Sequence, residues 1–322
     1  QIEGEWTAGF NKKDRGEVYV NFSRRSDMHG FNMSGETFKF AELQGLTVAQ
    51  MDSTARADVA FTIARDAGTF ACDGMFRDGR GTGFWSFTPS ESFRGDMKNR
   101  GYGYLNDEEL MKAALNRLTR KFVDDLKAAG YDKVEYKELL RAAGDGVTIT
   151  YIREIKAAGF PDLTLKQISR AADNGVTPSF VRELRSFGFT TATIEQLSRA
   201  ADNGVTPAYI REVQATGLTN LTLDQLARAA DEKISAEYIR EMKNVGFAEL
   251  TLDQIVRLKD EDVSAKFVEE IRAEGFPDIT PSLAIRLKDE DVNRDFIRRA
   301  KAQGYNVSLA EMIRLKDRGT VK

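Results

Sequence analysis

The sequence predicts an α+β chain of two domains. A small antiparallel β-sandwich or open barrel is expected over residues 1–88, followed by an α-solenoid of eight 29-residue helix hairpins over residues 89–322. Three observations carry this. Glycine returns every 29 residues, at Gly101, Gly130, Gly159, Gly188, Gly217, Gly246, Gly275 and Gly304, each followed by an aromatic residue or leucine. Helix-start signals recur at fixed places inside that period. The first 88 residues instead alternate with period two, and eleven of the 20 phenylalanines fall no later than Phe93. A fixed period of this size marks units that bury their apolar faces only by stacking on neighbours.

Taking the elements in order, Glu17-Val18-Tyr19-Val20-Asn21-Phe22 alternates apolar and polar residues, as do Ala57–Ile63, Gly68–Cys72 and Gly83–Phe87. That is the pattern of half-buried antiparallel strands, and about six are expected. The glycine-rich run Gly79–Gly83 lies between two of them and reads as a hairpin. Gly4-Glu5-Trp6 resembles the G-x-W of the first strand in lipocalin-like barrels, although the segment is short for an eight-stranded barrel. A core tryptophan in an end strand is the plainer reading. Cys72 reads as a packed strand residue, and His29 lies in a turn, Asp27-Met28-His29-Gly30. One cysteine forms no intramolecular disulfide, and one cysteine with one histidine cannot supply the four ligands usual for structural zinc. No linker follows: Thr88-Pro89-Ser90 leads straight into helix, which would let the sheet cap the open end of the repeats.

Each repeat carries two helices. The A helix starts where Thr177 can accept from free backbone N–H groups and Pro178 takes the first turn; Thr206 and Pro207 repeat the device. Phe180, Val181 and Leu184 make one apolar stripe. Gly188 then stops the helix in the left-handed conformation. The B helix opens on a capping box, Thr164 with Gln167, repeated at Thr193/Gln196, Thr222/Gln225 and Thr251/Gln254, and matched by Ser308/Glu311. Leu163 with Ile168, Leu221 with Leu226 and Leu250 with Ile255 are spaced as hydrophobic staples. Asn106 and Glu109 carry the phase back to the first unit, near Pro89.

Composition narrows function. Lys+Arg 47 against Asp+Glu 50 gives a net charge of −3, so nucleic acid is not an expected partner. No apolar run reaches the roughly 18 residues of a membrane helix. No phosphate-binding loop, H-E-x-x-H, G-x-S-x-G or dinucleotide fingerprint is present, so neither an enzyme nor a cofactor is expected. Arginine recurs along the A helices at Arg153, Arg182, Arg211 and Arg240, each before a glutamate, and these four are the candidate partner contacts. Stacked repeats set such residues in ladders. They form either a cationic strip for an anionic polymer or Arg–Glu ties between neighbouring units, and the interleaved glutamates favour ties. Lys259-Asp260-Glu261-Asp262 and Lys288-Asp289-Glu290-Asp291 are acidic loops that could draw calcium, but they lack EF-hand spacing and read as solvated helix ends.

The repeat, in forms such as Val176-Thr177-Pro178-Ser179-Phe180-Val181-Arg182-Glu183-Leu184 and Leu221-Thr222-Leu223-Asp224-Gln225-Leu226, resembles helical repeats in extracytoplasmic tails of some bacterial membrane proteins. These include metallopeptidases similar to the beta-lactam-sensing antirepressor family. The segment Asp66-Ala67-Gly68-Thr69-Phe70 through Phe76-Arg77-Asp78-Gly79-Arg80-Gly81 looks like the small sheet domain that precedes such repeats. The resemblance implies a bacterial, exported interaction region, periplasmic or secreted. It implies no protease activity, since the zinc-binding helix is missing. A start at Gln1 without methionine fits export by loss of a leader. The expected function is a non-enzymatic interaction or scaffold protein, with a protein partner or self-association through the solenoid surface and possible association with the cell envelope. One alternative is a self-assembling head-to-tail filament, since Arg318–Lys322 reads as the start of another unit. The other is a small-ligand carrier or sensor built on the sheet.

Overall fold

The computed structural model describes residues 2–11, 16–24, 31–32 and 35–321. The chain divides into two compact units, residues 1–153 with 163–169 and residues 154–162 with 170–322. Strand gives way to helix at Ser90, which caps the first repeat helix, whereas the compact units divide within the helical part.

Among the described residues the first unit holds seven strands: β1 (Ile2–Phe10), β2 (Glu17–Arg24), β3 (Phe31–Asn32), β4 (Glu36–Lys39), β5 (Ala57–Arg65), β6 (Gly68–Arg77) and β7 (Arg80–Pro89). They form one antiparallel sheet in the order β3-β2-β1-β7-β6-β5, with β4 also paired to β2. Of the two arrangements expected, the open one is found, a single curled half-barrel. Period-two alternation decides which face is buried. Val18, Val20 and Phe22 of β2, Phe61 and Ile63 of β5, Phe70, Cys72 and Phe76 of β6, and Trp85 and Phe87 of β7 are all buried.

Two tryptophans organise this core, and glycines make room for them. Trp6 is fully buried, edge-on to Phe61 at 5.2 Å and tilted on Phe76 at 5.6 Å. Its Nε1 donates to the Asp73 carbonyl at 3.2 Å. Gly74 and Gly83 face each other across β6 and β7, and a Cβ on either would lie 2.7–2.8 Å from the Trp6 indole. Trp85 is seated the same way over Gly4 and donates to the Glu5 carbonyl at 3.0 Å. The Gly-x-Trp of β1 is therefore half of two reciprocal seats: Gly4 receives one indole and Trp6 supplies the other.

Helix α1 (Val48–Met51) packs on β5 and β6. Sixteen repeat helices follow, even-numbered ones being A and odd-numbered ones B. They are α2 (Glu91–Met97), α3 (Asp107–Leu115), α4 (Arg120–Ala128), α5 (Tyr136–Gly144), α6 (Ile149–Ala157), α7 (Leu165–Asp173), α8 (Pro178–Ser186), α9 (Ile194–Asp202), α10 (Pro207–Gln214), α11 (Leu223–Asp231), α12 (Ala236–Asn244), α13 (Leu252–Asp260), α14 (Ala265–Ala273), α15 (Pro281–Asp289), α16 (Arg294–Ala302) and α17 (Leu309–Asp317).

In the first unit α3 lies against β6 and β7, its Leu110, Met111, Ala113 and Ala114 buried. The turn after it is pinned to the sheet by Arg117, which bonds Glu36 and donates to the Thr37 carbonyl at 3.0 Å. Arg117 and Arg65 also lie over the Phe38 ring at 5.6 and 5.5 Å. Arg65 reaches Glu42 at 2.9 Å. Burial pushes the Glu36 carboxyl up in spite of Arg117. At Glu42 burial pushes the same way, but the Lys39 N–H, Arg117 and Arg65 outweigh it and the net shift is downward.

In the second unit B helices stack on B helices from α9 through α17, and A on A from α8 through α12. The helix ends explain the period. All eight glycines of the 29-residue series adopt φ between +84° and +101°, where a Cβ would be strained. A second left-handed position closes each B helix, at Arg117, Gly146, Gly175, Gly204, Lys233, Asp262, Asp291 and Gly319. Thr193, Thr222 and Thr251 each accept from the N3 amide of their B helix, and Gln196, Gln225 and Gln254 return the bond. Thr164 and Gln167 do the same. Ser308 caps α17, but Glu311 turns to Arg314 instead.

Candidate interaction surface

Arg153 of α6 lies in the first compact unit; Arg182 of α8, Arg211 of α10 and Arg240 of α12 lie in the second. All four are exposed. Among the described residues none of them pairs with a carboxylate. Arg211 is partly engaged: its Nε donates to the Pro207 carbonyl at 3.1 Å, and its guanidinium lies 5.8 Å from the Phe187 ring centre. The Arg–Glu ties favoured from sequence are thus not made by these residues.

The ties between units come from other side chains. The capping glutamines have a second end: Gln196 donates to Asp224 of the next B helix at 3.0 Å, and Gln225 to Asp253 at 2.7 Å. Arg199 joins Asp224 at 2.8 Å. Asn174 and Asn203 donate to the Ser198 and Ala227 carbonyls of the following B helix. One residue type therefore caps its own helix and holds the next.

The A helices use cations. After Gly159, Gly217, Gly246 and Gly275, the residue 26 positions on reaches back to the end of the preceding A helix. Arg185 lies over Phe160 at 5.3 Å, Arg272 over Phe247 at 5.9 Å and Lys301 over Phe276 at 5.1 Å. Lys243 donates to the Thr216 carbonyl at 2.5 Å, and Lys301 bonds the Glu274 carbonyl. A cation at a helix C-terminus meets the negative end of the dipole, and the ring face adds to it. Gln214 is exposed and holds the equivalent place after Gly188 without a charge. Gln214→Lys is therefore expected to raise stability by about 0.5–1 kcal/mol, read as a shift in the urea midpoint of the helical circular dichroism signal. Gln214→Glu should give no gain.

The acidic loops form a like-charge ladder. Glu261 lies close enough to Asp289, and Glu290 to Asp317, for a shared proton and like-charge repulsion to raise both glutamates above the ordinary 4.5. These carboxylates also sit at helix C-termini, where negative charge is unfavourable. A carboxyl raised in the folded state contributes stability below the unfolded value near 4.5, and that contribution is lost as pH rises through the folded value. Glu261→Gln with Glu290→Gln should therefore raise the melting temperature at pH 7, and the difference should close as the pH falls below about 4.5. Salt should shrink it. Among the described residues no three His, Cys, Asp or Glu side chains are grouped to hold a metal ion.

Cys72 is buried and its thiol is pushed up to about 12 by burial, then by Asp73. His29 lies outside the described residues. The buried face of the sheet is filled by aromatic rings, Phe22, Phe70, Trp85 and Phe87 among them at 4.9–5.8 Å centre to centre. The opposite face carries an open groove of about 660 Å³, its lining including Glu5, Arg56, Asp58, Asp73, Met75 and Phe84. Sequence reasoning missed it, although strand parity alone puts Phe84 opposite in facing to Trp85. Among the described residues no helix is long and apolar enough to cross a membrane. No protein-family model, curated protein or solved structure matches this chain.

Proposed function

We propose that this chain is a non-enzymatic interaction or scaffold protein that holds a protein partner on the exposed face of its A helices. The supporting observation is the row Arg182, Arg211 and Arg240 on helices that pack α8 on α10 on α12. Arg182 and Arg240 are exposed and engage no carboxylate among the described residues, while other cations are consumed by the helix-end seats. Neighbouring packed helices lie about 8–10 Å apart, so the row presents regularly spaced guanidiniums, each beside a glutamate. An alternating row of this kind suits a folded protein surface of mixed charge, since a partner must match both signs. The sequence resemblance supports an extracytoplasmic, bacterial setting for that partner.

The test is affinity capture with cross-linking on the full chain, comparing wild type with Arg182→Glu/Arg240→Glu. A partner protein should cross-link to α8–α12 in wild type and be lost from the double reversal. Equal capture by both proteins would refute the assignment of this surface. An eluate holding only the bait would replace a foreign partner with self-association.

A further inference from the structure

On the sheet face turned away from the tryptophans, Phe84 is 70% exposed. Its direct cross-strand neighbours are Glu5 on β1 and Asp73 on β6. Directly opposed side chains share a face, with Cβ atoms about 4.5–5.5 Å apart. One exposed ring is thus flanked on both sides by carboxylates, in a row that ends on the small Ala60 of β5. The backbone carbonyls of Glu5 and Asp73 are used by the two indoles, but among the described residues neither carboxylate has a cation. Asp58, directly across from Met75 in the groove, already has Arg56, which also lines the groove, at 2.8 Å.

The rings of the second compact unit supply the contrast. Phe160, Phe247 and Phe276 each lie under an arginine or lysine from the next repeat. Phe84 has the ring and the compensating carboxylates, but among the described residues no cation lies over it. We propose that this face docks an extended, arginine- or lysine-bearing segment of a partner protein. One cationic side chain would lie across Phe84 between Glu5 and Asp73, and the residue two positions along would enter the groove beside Met75. The geometry suits an extended segment because Asp73 and Met75 are themselves two residues apart on one strand face, and strand side chains repeat with that period. Acidic flanks repel nucleic acid, and a guanidinium gains from ring face and carboxylate together. This surface is separate from the arginine row, and either assignment can fail alone.

The probe is a fluorescein-labelled hexapeptide of alternating threonine and arginine, titrated into the full chain and followed by anisotropy. Saturable binding that weakens with salt is expected. Phe84→Ala and the pair Glu5→Lys/Asp73→Lys should each raise Kd about tenfold or more, Phe84→Trp should retain binding, and Arg182→Glu/Arg240→Glu should leave it unchanged. Circular dichroism checks that each variant is folded, and Phe84→Ala, a surface change, decides the matter if the charge reversal does not fold. The proposal is overturned by an absence of saturable binding at millimolar protein, by equal binding to Phe84→Ala, or by equal binding of a glutamate-for-arginine peptide. Displacement by spermine at the same concentration from wild type and Phe84→Ala would also overturn it, since the surface would then be a general polycation sink.

Discussion

Trp6→Ala is expected to cost the sheet about 3–5 kcal/mol, the range for emptying a fully buried large aromatic site. The indole is closed in by Phe61 and Phe76, with Gly74 and Gly83 behind it, and its N–H satisfies a carbonyl that would lose its partner. The reciprocal change should hurt as much for a different reason. A Cβ at Gly83 would fall on the Asp73 carbonyl oxygen and 2.7 Å from the Gly74 Cα, both backbone atoms that cannot rotate away. Gly83→Ala should therefore not be rescued by Trp6→Ala, although the two positions are in contact. At Gly81 the nearest obstruction is the Phe76 ring, so there Phe76→Ala should offset part of the loss. Both tryptophans of the chain, Trp6 and Trp85, lie in the sheet, so urea unfolding followed by tryptophan fluorescence reads that unit directly. The idea fails if Gly83→Ala unfolds within about 0.5 kcal/mol of wild type, the scatter of an unremarkable surface change.

The repeat was legible because its punctuation is covalent geometry. Only glycine sits comfortably at φ near +90°, so eight left-handed helix ends left eight glycines in register. The second left-handed series was hidden, because after Gly204 it passes to Lys233, Asp262 and Asp291, which tolerate the conformation at some cost. Capping boxes were legible because both partners lie three residues apart. The outer ends of Gln196 and Gln225 were not, since their acceptors lie 28 residues on and only stacking brings them close. The same limit applies to the cation seats: Arg185, Lys243, Arg272 and Lys301 stand in plain sequence register, but their meaning depends on the preceding helix end. For the A-helix arginines, the interleaved glutamates suggested ties between neighbouring units, and among the described residues Arg153, Arg182, Arg211 and Arg240 make none. In the sheet, alternation gave the strands, but Gly74 and Gly83 read locally as weak strand residues until Trp6 is placed over both. Phe84 and its two carboxylates come from three strands, and no single stretch of sequence shows them together.

The triple change Thr193→Ala/Thr222→Ala/Thr251→Ala is expected to lower the stability of the second unit by about 3 kcal/mol. Each N-cap removal costs about 1 kcal/mol, within a range of 0.5–2. Each threonine accepts from its helix's N3 amide at 3.2–3.3 Å, and its own amide donates to the paired glutamine at 2.9–3.1 Å. Alanine removes the first bond and leaves the second, so the glutamine can still reach Asp224 or Asp253. If caps act alone, the three single losses should add. If the cap also holds the glutamine in place for its neighbour, the triple loss should exceed their sum, because each uncapped helix loosens a tie to the next. Gln225→Ala separates the two: it removes the N-cap return bond and the tie to Asp253 while leaving the threonine cap intact. Stacked units share stability through nearest-neighbour interfaces, so a weakened tie should also broaden the urea transition of the helical signal while the tryptophan signal stays put. Strict additivity with an unchanged slope would show that the glutamine–aspartate ladder is a surface ornament, and that the repeats hold together through their buried aliphatic stripes alone.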